Sequence, residues 1–116
     1  MNFNGIGISL SSGWIVDKNG SSAIVLKNSK IDNSRLEISY SSSENAEKLA
    51  KSTAAWSNPP AQVSTKNIGN KSFYYYEQGK DMFVLCVDGK DNFSYRIACS
   101  NLSLDDVSGL ISNIAF

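Results

Sequence analysis

An α+β fold is predicted: an antiparallel β-sheet of about six strands sandwiched between two α-helices, one helix on each face. Three observations predict it. Lys71 to Cys99, KSFYYYEQGKDMFVLCVDGKDNFSYRIAC, holds three runs of aromatic and β-branched residues separated by turn residues. Apolar residues fall on both alternating faces of those runs, so each side of the sheet needs a cover. Two other segments carry helical apolar spacing behind N-cap residues.

In chain order, Ile6, Ile8 and Leu10 alternate with Gly and Ser as a first strand, broken at Ser11-Ser12-Gly13. Asn19-Gly20 sits between Trp14-Ile15-Val16 and Ala23-Ile24-Val25-Leu26, and Asn-Gly favours the type I′ hairpin turn. That turn pairs Val16 with Ala23 and Trp14 with Val25. A polar connection, Lys27 to Ser34, leads to a half-buried strand in which Leu36, Ile38 and Tyr40 alternate with Glu37 and Ser39.

From Ser43 to Trp56, the positions Ala46, Leu49, Ala50, Thr53 and Trp56 recur at helical steps behind a serine run that supplies N-caps. Ser57-Asn58-Pro59-Pro60 ends this helix, because proline lacks the N–H and the residue before it avoids the helical region. Gln62 to Ile68 reads as a strand, and Gly69-Asn70 turns into the meander.

Within the meander a turn centred on Lys90 sets Val87 opposite Phe93, Leu85 opposite Tyr95 and Phe83 opposite Ile97, with Tyr74 and Tyr76 on the same face. The other face then carries Phe73, Tyr75, Met82, Val84, Cys86 and Ala98. From Ser103 to Ile114, Ser103 and Asp106 resemble a capping box, and Leu104, Val107, Leu110, Ile111 and Ile114 line one side of a second helix. Asp105 and Asp106 suit the positive end of its dipole. In this register Cys86 and Cys99 lie on opposite faces and about 17 Å apart, too far for a bridge, so both are expected as free buried thiols without a disulfide.

The 116 residues fit one domain, residues 1–116, large enough to fold without a metal or disulfide scaffold. Eleven acidic and eleven basic residues cancel, which leaves no electrostatic footprint for nucleic acid. No apolar run has transmembrane length. The opening MNFNGIGISLSS lacks a signal peptide's basic and apolar regions, and the chain stops straight after its last helical pattern. A domain trimmed from a longer, extracytoplasmic protein is the expectation.

Gly7-Ile8-Ser9-Leu10 followed by Ser11-Ser12-Gly13-Trp14 resembles the opening of the PsbP-like fold, with serine where that family usually has proline. Ile68-Gly69-Asn70-Lys71-Ser72-Phe73-Tyr74 is similar to its strand-turn-strand, and Val107 to Phe116 to its closing helix. The resemblance implies a central sheet with helices on both sides. Its members include photosystem accessory subunits, a nuclear-transport factor that binds a small GTPase, and prokaryotic surface or lipoprotein domains. It therefore implies little about activity.

The chain contains no histidine, which removes histidine acid/base chemistry, Ser-His and Cys-His activation, and most zinc and iron ligand sets. Glu37, Glu44, Glu47, Glu77 and the aspartates fall in turns, caps or exposed positions. Asp88-Gly89-Lys90-Asp91-Asn92 lacks the spacing of a calcium loop and reads as a turn. No catalytic residue, metal ligand or cofactor site is assigned, and no enzyme is expected.

Two features stand out. Trp56 beside Asn58, Pro59 and Pro60 either completes the helix stripe or forms an aromatic recognition surface on a stiff loop. Arg96, on the Val84 and Cys86 face, is either at an exposed strand end or a polar anchor in a groove. The expected function is a non-catalytic binding or accessory domain with a protein partner. The alternative is a small-molecule carrier, which would need an enclosed apolar pocket above about 300 Å³ between helix and sheet.

Overall fold

In the computed structural model, which describes residues 1–116, the chain runs β1 (Asn2–Phe3), β2 (Ile6–Ile8), β3 (Trp14–Asn19), β4 (Ala23–Asn28), β5 (Arg35–Ser41) and α1 (Ala46–Ala54). It continues through β6 (Ser64–Ile68), β7 (Lys71–Gly79), β8 (Met82–Asp88), β9 (Ser94–Ser100), α2 (Leu104–Ser112) and β10 (Ile114–Ala115). Seven strands form one antiparallel sheet in the order β3-β4-β5-β9-β8-β7-β6, and three form a second sheet in the order β1-β2-β10.

These elements follow from local chemistry. Asn45 caps α1 by accepting the Lys48 N–H at 2.9 Å, so the cap is an asparagine rather than the preceding serines. Ser103 and Asp106 exchange hydrogen bonds of 3.1 and 2.8 Å, the capping box read from their spacing. Asn4 and Gly5 both take positive φ (46° and 83°) in the two-residue turn that pairs Phe3 with Ile6.

The core divides at the main sheet. On one side Ile24, Leu26, Leu36, Ile38, Leu85 and Ile97 are fully buried beneath α2 and the small sheet. On the other, α1 sets Ala46, Leu49, Ala50 and Ala54 against Tyr76, Val84 and Cys86.

A sheet of about six strands sandwiched between two helices is therefore not the fold. Strand accounts for 47% of the chain and helix for 16%, in a seven-strand and a three-strand sheet. Each helix has only nine residues, too few to cover a face of this width. The physical reason lies at the termini. Ile114, read as the end of a helix, follows the cap residue Asn113 and pairs with Ile8, while Ala115 pairs with Gly7. The first strand therefore joins the end of the chain, and this small sheet carries Phe3, Ile6, Ile8 and Ile114 into the core beside α2.

Three registers also differ from the sequence reading. The first hairpin pairs Val16 with Leu26 and Trp14 with Asn28, with a bulge between Val16 and Lys18, and turns through Ser21-Ser22 instead of Asn19-Gly20. The expected register would have put Trp14 on the Val25 face; the observed one buries it beside the Leu26 core. In the meander, Val87 pairs with Tyr95, Leu85 with Ile97 and Phe83 with Cys99, a two-residue shift that preserves the faces. A bulge between Glu77 and Gly79 moves β7 by one residue, so Phe73 joins the α2 side and Tyr74 and Tyr76 the α1 side. Cys86 and Cys99 are free, buried and on opposite faces.

Candidate functional site

The last turn of α1 and the loop after it form the most distinctive surface. Beyond Ala54 the backbone closes through Trp56 N to Thr53 O at 3.2 Å and Ser57 N to Ala54 O at 3.1 Å. Asn58 and Pro59 then redirect the chain, and Ala61 N returns to Ala54 O at 3.0 Å. The helical stripe thus ends before Trp56, whose side chain is left 89% exposed, whereas Trp14 is 6% exposed. Asn58, Pro59 and Pro60 are exposed beside it.

A cleft of about 370 Å³ opens next to this loop, lined by Lys51, Ala55, Pro60, Ala61, Gln62 and Val63. Val63 immediately precedes β6, so the cleft leads to the free edge of the main sheet.

Arg96 does not join Trp56, Asn58 and Pro59 at this surface. It sits half-buried on β9 opposite Cys86, on the side covered by α1. Its Nη2 donates to Tyr76 Oη at 3.4 Å, and Tyr76 Oη donates to Thr53 Oγ1 at 2.7 Å. Thr53 Oγ1 donates in turn to Leu49 O at 2.8 Å, while Arg96 Nε has no protein partner. This chain ties the last turn of α1 to the sheet. Burial pushes the Cys86 thiol up to about 12 despite the opposing pull of the Arg96 charge, and burial raises Cys99 further still. Neither is a thiolate near neutral pH.

At the other end of α1 a polar cleft of about 390 Å³ is lined by Ser42, Glu44, Asn45, Asp88, Asn92 and Phe93, among others. Its groups hold the helix in place. Asp88 Oδ1 accepts the Ala46 N–H at 2.8 Å, and Ser94 Oγ donates to Glu44 O at 2.7 Å. The five residues Asp88 to Asn92 thus form a strand end and turn, with Asp91 and Asn92 at positive φ (59° and 64°).

No family model matches this chain, and no curated protein matches it. Among solved structures it is similar to a crystal structure of a protein from Bacteroides thetaiotaomicron VPI-5482, with a TM-score of 0.57 and 16% sequence identity. The match covers 94% of this chain and 44% of that one. At such identity the likeness concerns the fold alone. The chain spans less than half the length of that protein.

One feature of the site escapes a reading by net charge. Between Lys48 and Tyr76 the sequence holds four lysines, Lys48, Lys51, Lys66 and Lys71, and no Asp or Glu. This segment supplies most of α1, the exposed loop and the edge strand β6; Lys48 lies in the first turn of α1 and Lys51 is bridged to Glu47, so the lysines without an acidic partner beside the edge are Lys66 and Lys71. The run is visible in the sequence once charge is counted by segment.

Proposed function

We propose that this chain is a non-catalytic protein-binding or accessory module whose contact surface is the Trp56 to Pro60 loop and the adjoining cleft. The observation that carries the reading is the 89% exposure of Trp56. A tryptophan side chain held in water forgoes on the order of 3 kcal/mol of burial, and tryptophan is the residue most enriched at the energetic centres of protein interfaces. Pro59 and Pro60 limit the backbone freedom that binding would otherwise remove.

Two further points support a binding role over the alternatives. A carrier would need enclosed apolar space beneath α1, but Leu49, Ala50, Ala54, Tyr76, Val84 and Cys86 fill that seam. An enzyme would have to work without histidine and with both thiols held protonated.

The test is an immobilised full chain, wild type against Trp56→Ala, followed by purification of the captured protein and titration calorimetry. A one-to-one complex weakened at least about ten-fold by Trp56→Ala, with unchanged melting temperature, is the expected result. A partner held equally by both forms, or no partner that tells them apart, refutes the reading.

A further inference from the structure

The main sheet has two free edges, β3 and β6, and they differ. A bulge between Val16 and Lys18 breaks the β3 edge, which also carries Asp17 and Lys18. Natural sheets use such features to discourage strand pairing. β6 has none of this protection beyond a single lysine. Its five residues keep one register from Ser64 opposite Tyr75 to Ile68 opposite Lys71, without bulge or proline. The Lys66 ammonium is drawn inward over the Tyr75 ring at 5.1 Å, which leaves the outer backbone groups open.

Charge selects the occupant. Lys48, Lys66 and Lys71 form no ion pair, and Lys51 is bridged only to Glu47, at 3.2 Å, on the surface. A second copy of this chain is disfavoured, because antiparallel β6–β6 pairing about the strand's centre would set Lys66 directly against Lys66. We propose that the β6 edge takes up an extended, acidic segment of a partner protein as an eighth strand, with an apolar side chain of that segment seated in the cleft beside Trp56.

The geometry sets a pattern for that segment. Lys66 pairs with Phe73 and so lies on the α2 side, whereas the cleft is lined by Lys51 of α1 and the loop after it, whose Ala61 and Val63 pack on the opposite side. Val63 and Lys66 are an odd number of residues apart, in keeping with opposite faces. An acidic residue should therefore sit opposite Lys66, and an apolar one should point to the other face beyond Val63. Strand addition supplies affinity through the main chain and specificity through alternate side chains. This inference rests on the protein-binding reading and specifies its ligand.

The experiment uses the full chain to select from a phage-displayed library of random peptides, then a synthetic copy of the best peptide and an N-methylated form of it. Selected sequences enriched in Asp and Glu, shifted amides across Ser64–Ile68 and a shifted Trp56 indole are the expected results. Affinity should fall at least about ten-fold with Lys66→Glu and on peptide N-methylation, which leaves the protein itself unaltered. Equal binding of the N-methylated peptide, shifts confined to other strands, or no acidic enrichment overturns the inference. If the partner captured above still depends on Trp56 in any of those cases, the protein-binding reading survives and strand addition alone is lost.

Discussion

Replacing Tyr76 with phenylalanine isolates the contact that holds the last turn of α1 to the sheet. Tyr76 is fully buried, and its ring remains in the variant, so no cavity forms. What disappears is a hydroxyl that donates to Thr53 Oγ1 at 2.7 Å and accepts from Arg96 Nη2 at 3.4 Å. The first bond is worth about 1 kcal/mol net. Thr53 keeps its own acceptor, Leu49 O, so its donor is not stranded. Arg96 loses its one protein partner while Nε already lacks one, but its half-buried position admits water, so this adds only about 0.5 to 1 kcal/mol. Tyr76→Phe should therefore cost about 1.5 to 2 kcal/mol, or a melting temperature lower by roughly 6 °C. Urea titration of Tyr76→Phe, Arg96→Met and the double variant should give a coupling energy of about 0.5 to 1 kcal/mol, the share of the Tyr76–Arg96 contact alone. Amide exchange at residues 53 to 57 should quicken in Tyr76→Phe, since the last turn of α1 is then free to open. A loss below about 0.3 kcal/mol, or strictly additive variants, would refute the view that this network carries the helix end.

The remaining predictions concern the core and the loop. Cys86 has its pKa raised from 9.0 to about 12, so below pH 9 folded and unfolded chains hold the proton alike. Above pH 9 only the unfolded chain releases it, and stability should fall by about 1.4 kcal/mol per pH unit for this thiol. Urea titrations between pH 9.5 and 11 should show a slope shallower by about that amount in Cys86→Ala; an unchanged slope contradicts it. A Cβ on Gly89 would lie 2.5 Å from Tyr95 Cε2, and Tyr95 is 2% exposed with its hydroxyl donating to Asn4 O at 2.9 Å. Gly89→Ala should cost about 1 to 3 kcal/mol by denaturation and loosen the β1–β2 turn; wild-type stability would mean that the ring has room to move. Trp56→Ala should change stability by less than about 0.5 kcal/mol, because the side chain packs on little of its own protein, and a larger loss by calorimetry would mark it as structural.

The two-faced pattern of the meander was legible because a strand buried on both sides leaves apolar residues at consecutive positions, as Phe83 to Val87 do. Capping was legible at Ser103 because the box is set by a three-residue spacing. Register was not, for two physical reasons. A bulge such as the one after Glu77 adds a residue without leaving an apolar signature, and it exchanged the faces of β7. Turn propensity also yields to core burial. Of two Asn-Gly pairs, Asn4-Gly5 forms the positive-φ turn, whereas Asn19-Gly20 gives way to a register that buries Trp14. Trp56 was legible as a surface candidate beside Asn58 and Pro59, while the cleft and the β6 edge depend on long-range pairing that periodicity does not encode. The face of Arg96 follows from strand alternation with Val84 and Cys86, but its link to Tyr76 depends on the bulge that shifts β7.

The unequal cover of the two faces gives a reason for the proposed contact surface to lie on the α1 side. Against α2 and the small sheet the core gathers 22 buried residues, many of them large, and can hold its elements by area alone. Under α1 it gathers seven, three of which are Ala46, Ala50 and Ala54, so the apolar contribution of this helix is small. α1 is fixed instead by polar contacts at its two ends: Asp88 and Ser94 at the first turn, and the Thr53, Tyr76 and Arg96 chain at the last. Hydrogen bonds fix direction more sharply than they add stability, so the helix is aimed rather than deeply buried. A helix held in this way can present its C-terminal loop beside the β6 edge while little core depends on that loop. Changes at Trp56 should then alter recognition and spare the fold, whereas changes at Tyr76 should alter both.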